Sequence, residues 1–208
     1  MNSKIKSFFI FILLIPLSIH SQQSEELSDS EAEEYSRKYC SDCILPDGYK
    51  PLSKSPNEKF YKKYDKFNDI TFYEHKESFK YSDGIIVPVS LYVSKDIKGK
   101  YLFLLFQYMD RTKWLFFNEI IFLNDLGKKL KYEIPKNEKE ERINRGGGVY
   151  ESYNLHLNKE TAKIFYDYIT TSLKIEFRFQ GKYYKEFIMT EDQHTAIIET
   201  YEFFEKLK

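Results

Sequence analysis

Two cysteines close together, in Tyr39-Cys40-Ser41-Asp42-Cys43, are the residues whose type and spacing most directly suggest chemistry. Thiols this close serve as a local disulfide, as accessory free thiols, as a redox couple or as half of a metal site. A thioredoxin-like couple needs the start of a helix behind a central strand, where the helix end lowers the thiol pKa. Here the pair follows a polar helical stretch and precedes a loop carrying Pro46, Gly48, Pro51 and Pro56. A zinc site wants further ligands at a recognisable spacing, and His75, His156 and His194 are widely scattered. The expectation is a structural Cys40–Cys43 bridge, whose short loop adds little global stability.

Carboxylates come next. A glycosidase would need two of them facing one cleft. Glu119 lies in phase with Leu115, Phe117, Ile121 and Leu123, and Glu151 with Val149, Tyr153, Leu155 and Leu157. Both therefore fall on apolar-looking strand faces, and a buried carboxylate needs a partner. Arg178 or Arg142 is the expected partner. A structural ion pair, a solvent-facing edge and a functional acid are the three readings.

Arg142, Arg145, Gly146, Gly147 and Gly148 form the third cluster. A phosphate-binding P-loop needs GxxxxGK[ST], but Val149 and Tyr150 follow here. An anion-binding nest competes with a hairpin or bulge in which the backbone approaches a neighbour closely. No serine sits in a G-x-S-x-G elbow, and His156 reads as outward. No catalytic residue, metal or cofactor is expected.

These residues belong to a chain that opens like an exported protein. Lys4 and Lys6 precede the apolar run Phe8–Ile19, and a polar exit with Ser21 follows. That is the three-part form of a secretory signal peptide over residues 1–21, cut after Ser21. The run is too short for a stable membrane anchor, and no cysteine at the cut offers a lipid site. A periplasmic or extracellular location follows. Residues 22–208 carry 30 basic and 32 acidic side chains. That balance gives no basic excess for nucleic acid. The bias toward Lys, Ile, Tyr and Phe is similar to that of exported proteins of AT-rich bacteria.

The chain has 18 Tyr and 18 Phe, residue types that favour sheets. Residues 22–55 read as an N-terminal extension with a short helix near 30–39, and 56–208 as the main domain. Ser55, Pro56 and Glu58 look like a helix start, and Phe60, Tyr64 and Phe67 recur at helical spacing, predicting a helix over 56–67. Strands are expected at 70–75, 85–93, 101–109, 113–123, 130–134, 149–157, 173–180 and 183–189. Pro88 suggests that 85–93 is an edge or bulged strand, and 84–134 reads as an antiparallel meander. Asn158 should start a helix over 159–171, and Thr190 with Gln193 should cap a final one.

The expected fold is α+β. It is a single domain with a mainly antiparallel sheet of about five to seven strands, helices on one face, two N-terminal helices and a C-terminal helix. The expected function is a secreted or periplasmic, non-enzymatic binding or structural module for a protein, peptide or glycan. A small exported hydrolase, or a thiol-redox protein using Cys40 and Cys43, is the alternative.

Overall fold

The computed structural model describes residues 48–52, 58–79, 87–135, 137–143 and 148–208. The signal segment, the helix expected near 30–39, Cys40, Cys43, Arg145, Gly146 and Gly147 lie outside the described residues. The rest is mostly antiparallel sheet with two α-helices, an α+β-like arrangement.

The strands are β1 (Lys50–Pro51), β2 (Phe60–Asp65), β3 (Ile70–His75), β4 (Val89–Lys95), β5 (Lys100–Asp110), β6 (Glu119–Asn124), β7 (Lys129–Glu133), β8 (Glu140–Ile143) and β9 (Val149–Leu157). Helix α1 (Lys159–Thr170), β10 (Ile175–Gln180), β11 (Tyr184–Ile188) and helix α2 (Glu191–Lys206) follow. One sheet has the order β1-β2-β3-β4-β5-β9-β8, and a second has the order β11-β10-β6-β7. The single sheet expected from sequence is thus two.

Their inner faces meet at Phe106 of β5. Its ring centroid lies 6.3 Å from that of Phe122 and 6.1 Å from that of Phe179, both in the second sheet. Leu102, Leu104, Val93 and Ile120 are fully buried around this junction. Helix α1 sets Phe165 against Phe122, at 5.8 Å. Helix α2 lies on β3, β4 and β5. The two helices touch through the stacked rings of Tyr166 and Tyr201, 4.2 Å apart. Asn158 caps α1, and Thr190 with Gln193 forms a reciprocal capping box on α2.

Four sequence expectations are corrected. The helix over 56–67 is replaced by strand β2, paired along its length with β3. The chain reverses at Asp65, whose carboxylate accepts from the Phe67 N–H at 3.0 Å, and Asp69 takes a positive φ of 54°. A helix cannot run through that turn, and pairing with β3 overrides the local helical spacing. Strand β4 is interior rather than an edge, because Pro88 sits just before it and uses only its carbonyl, which accepts from the Gln107 N–H at 2.8 Å. The meander over 84–134 breaks after β5, which pairs with β9, while β6 and β7 join the second sheet. The strand expected over 173–180 starts only at Ile175, and Leu173, which alternation would set inward with Ile175, Phe177 and Phe179, is 95% exposed in the turn before β10.

Candidate functional site

Glu151 is a fully buried charged residue among the described residues. It sits on the inner face of β9 and is 0% exposed. One carboxylate oxygen accepts from the backbone N–H groups of Leu115 (2.6 Å) and Phe116 (2.9 Å). The other accepts from the Phe117 N–H (3.1 Å) and from Lys139 Nζ (2.7 Å). Three successive N–H groups and an ammonium thus replace its water shell. The Lys139 side chain is itself only 7% exposed, donates to the Phe117 carbonyl at 2.9 Å, and pairs with Glu141 at 2.8 Å.

This arrangement anchors the loop 111–118, which replaces the first half of the strand expected over 113–123. Asp110 starts the loop as an Asx-type turn, accepting from the N–H groups of Thr112 and Lys113, each at 2.9 Å. Those backbone bonds, together with Tyr108, hold its carboxyl below the usual carboxylate range. Burial and the facing Asp110 push the Tyr108 phenol up to about 12. Phe116 has a positive φ of 51°, a conformation that costs a bulky side chain about 1–2 kcal/mol. Behind it, a Cβ on Gly181 would stand 2.0 Å from the Phe116 carbonyl oxygen. Gly181 therefore allows the β10–β11 turn to close on the loop. The Tyr183 N–H donates to the Leu115 carbonyl, and the Asn118 N–H to the Gln180 carbonyl.

The loop and the turn enclose a groove of about 700 Å³. On one wall the rings of Trp114 and Phe116 lie nearly parallel, 17° apart in plane and 5.7 Å between centroids. Tyr183 and Tyr184 of the turn also line it. Phe116 is 41% exposed, and Tyr183 and Tyr184 are more than half exposed. Lys113, Lys182 and Lys185 line the rim. The one acidic side chain among the lining residues, Asp110, is engaged by its own turn.

The remaining predicted residues are dispersed. Glu119 pairs with Lys131 on the outer side of the second sheet, out of phase with the buried Ile120 and Phe122. The positive φ at Phe116 and the loop behind it break the alternation on which its expected burial rested. Arg178 pairs with Glu186, and its guanidinium lies 4.9 Å from the Tyr184 ring. Arg142 pairs with Glu140 at 2.9 Å and lies over Tyr150. Neither arginine reaches Glu151; Lys139 does. Gly148 lies close to β5, where an added Cβ would meet the Asp110 carbonyl at 3.0 Å. His156 is exposed on the outer face of the seven-stranded sheet, 5.3 Å from the Phe103 ring. Glu119, Glu151 and His156 do not converge on one cleft.

That outer face carries a shallower groove of about 600 Å³, bordered by Tyr49, Lys63, Phe72, Glu74 and Tyr92. Tyr49 donates to the Glu74 carboxyl. Burial raises the pKa of Glu74, outweighing the hydrogen bond from Tyr49 and the charge of Lys63. Burial, with Glu74 beside it, also pushes the Tyr92 phenol up to about 12. Lys63 stands 5.5 Å from the Tyr49 ring, so the cation that this aromatic corner would accept comes from the chain itself.

Sequence reasoning missed Lys139, Trp114, Phe116 and Glu74. The sole tryptophan, inside Lys113-Trp114-Leu115-Phe116-Phe117, was the available signal: the run is apolar without alternation, as a strand with one solvent face is not. Among the described residues, no group of His, Cys, Asp and Glu has the arrangement of a metal site, and no helix is long and apolar enough to cross a membrane. Comparison with known protein families, curated proteins and solved structures finds no match for this chain.

Proposed function

We propose that this chain is an exported, non-enzymatic binding module whose ligand surface is the groove between the 111–118 loop and the β10–β11 turn. One observation carries the reading. A buried carboxylate, Glu151, holds Phe116 in a costly backbone conformation, and the result is a Phe116 ring left 41% exposed, stacked on a half-buried Trp114. A core alone would gain more by turning the Phe116 ring inward. Backbone strain retained under such a clamp belongs with sites that must present fixed side chains. Large rings lose little conformational freedom on binding, so they suit a contact surface.

Export rests on Lys4, Lys6 and the apolar run Phe8–Ile19. The Cys40–Cys43 bridge belongs to the same proposal, since such bridges persist in oxidising compartments.

Trp114 is the only tryptophan of the chain, so tryptophan-selective fluorescence reads this groove alone. Titration with peptides and glycans of the extracytoplasmic environment is expected to shift that emission, and the Phe116→Ala, Tyr184→Ala double variant is expected to lose the response while keeping its far-ultraviolet circular dichroism. A ligand that binds the chain with equal strength in this variant overturns the location of the site. N-terminal sequencing of the mature protein is expected to begin at Gln22; recovery of the uncut chain from the cytoplasm overturns export.

A further inference from the structure

Resting on that reading of the groove, we infer that its ligand is an acidic glycan, one whose pyranose rings carry carboxylates. Trp114 and Phe116 offer two nearly parallel ring faces, fixed from below by Glu151 and from behind by the close approach of Gly181. A pyranose ring presents a flat patch of C–H bonds that packs on such faces. Lys113, Lys182 and Lys185 stand at the rim of the same groove. Among the described lining residues the one acidic side chain is Asp110, whose carboxylate is held by its turn and faces Lys113. Lys182 lies 5.6 Å from the Tyr183 ring, and the three lysines still outnumber the one carboxylate, so the described lining keeps a positive excess beside its rings.

A uronic acid unit matches both at once. Its flat face and its carboxylate belong to one ring, so a unit seated on the platform brings its anion to the lysine rim. An acidic peptide separates the two: Asp and Glu have no flat apolar face, and an aromatic neighbour would have to supply it. A single-stranded nucleic acid also joins a flat group to an anion. It would need a basic track for its successive phosphates, whereas these lysines form one cluster on a chain with no basic excess.

The test uses Trp114 emission of the mature full chain in calcium-free buffer, with four probes: oligogalacturonate, its methyl ester, poly-glutamate and oligothymidylate. Oligogalacturonate is expected to bind tightest, with affinity falling as salt rises. The Lys113→Ala, Lys182→Ala, Lys185→Ala variant, altered only at the groove rim, is expected to lose about tenfold in that affinity and to bind the methyl ester as the parent does. Equal binding of the acid and its ester, or tighter binding of poly-glutamate or oligothymidylate, overturns the inference while leaving the groove as a binding site. Silence of Trp114 toward all four probes, and toward a wider glycan and peptide set, overturns the groove reading as well.

Discussion

Glu151 has exchanged water for four donors, and losing it would leave the Lys139 ammonium buried beside three unpaired N–H groups. Glu151→Ala is expected to destabilise the fold by about 3–5 kcal/mol, read by urea unfolding. An effect below about 1 kcal/mol would mean that water replaces the carboxylate. The burial of Glu151 was legible, since the alternation from Val149 to Leu157 put it on the inner face. Its partner was not, because Lys139 lies in a stretch so polar that it read as plain loop. His75 is the second residue with a measurable consequence. Its Nδ1 accepts from the Glu77 N–H at 3.2 Å, so the proton sits on Nε2, which faces Glu199 at 3.0 Å. Burial holds its pKa below the ordinary 6.5, outweighing Glu199. The unfolded chain therefore takes up this proton first. The stabilisation from neutral His75 is present above pH 6.5 and is lost as the pH falls through that value toward the folded pKa. Glu74 next door works with the opposite sign, because its raised pKa favours the folded chain when protonated. Denaturant midpoints compared at about pH 7.5 and about pH 5.5 are expected to fall less for His75→Gln than for the parent; equal slopes would remove His75 from the account.

At the scale of elements, the 111–118 loop couples strain to display. Phe116→Gly removes the left-handed backbone cost of about 1–2 kcal/mol and also the ring contact with Trp114, worth about 0.5–1.5 kcal/mol. The two nearly cancel. This variant is expected to unfold within about 1 kcal/mol of the parent and to lose the Trp114 response to ligand. A large loss of stability would show that the Phe116 ring holds the fold rather than faces a ligand. The elements that sequence predicted well had undivided signals: β9 carried clean alternation, and α1 and α2 carried helical spacing with a recognisable N-cap. Those it missed had one signal against another. In β2 the aromatic spacing was helical, and only pairing with β3 decides for a strand. In 113–123 an unbroken apolar run concealed both the loop and the phase change between Phe117 and Ile120.

For the whole molecule, Phe106 is the joint. It touches Phe122 and Tyr132 of the second sheet while belonging to the first. Phe106→Ala is expected to cost about 3–5 kcal/mol, yet to keep one transition, with Trp114 fluorescence and circular dichroism coincident. Two separate transitions would show that the sheets fold as independent units. An α+β class was readable because helices and strands alternate late in the chain. The division into two sheets was not, since it depends on which distant strand β5 and β6 choose. Leu102 of β5 lies opposite Leu157 of β9, and Asn124 of β6 opposite Ile175 of β10, each pair about fifty residues apart along the chain. Neither sheet can close until most of the chain is in hand, so folding waits on long loops and is expected to run in milliseconds to seconds. A slow fold of this kind suits the export proposed above, since a chain that has not yet folded can be drawn through a membrane as an extended polypeptide and meet its own C-terminal strands on the far side.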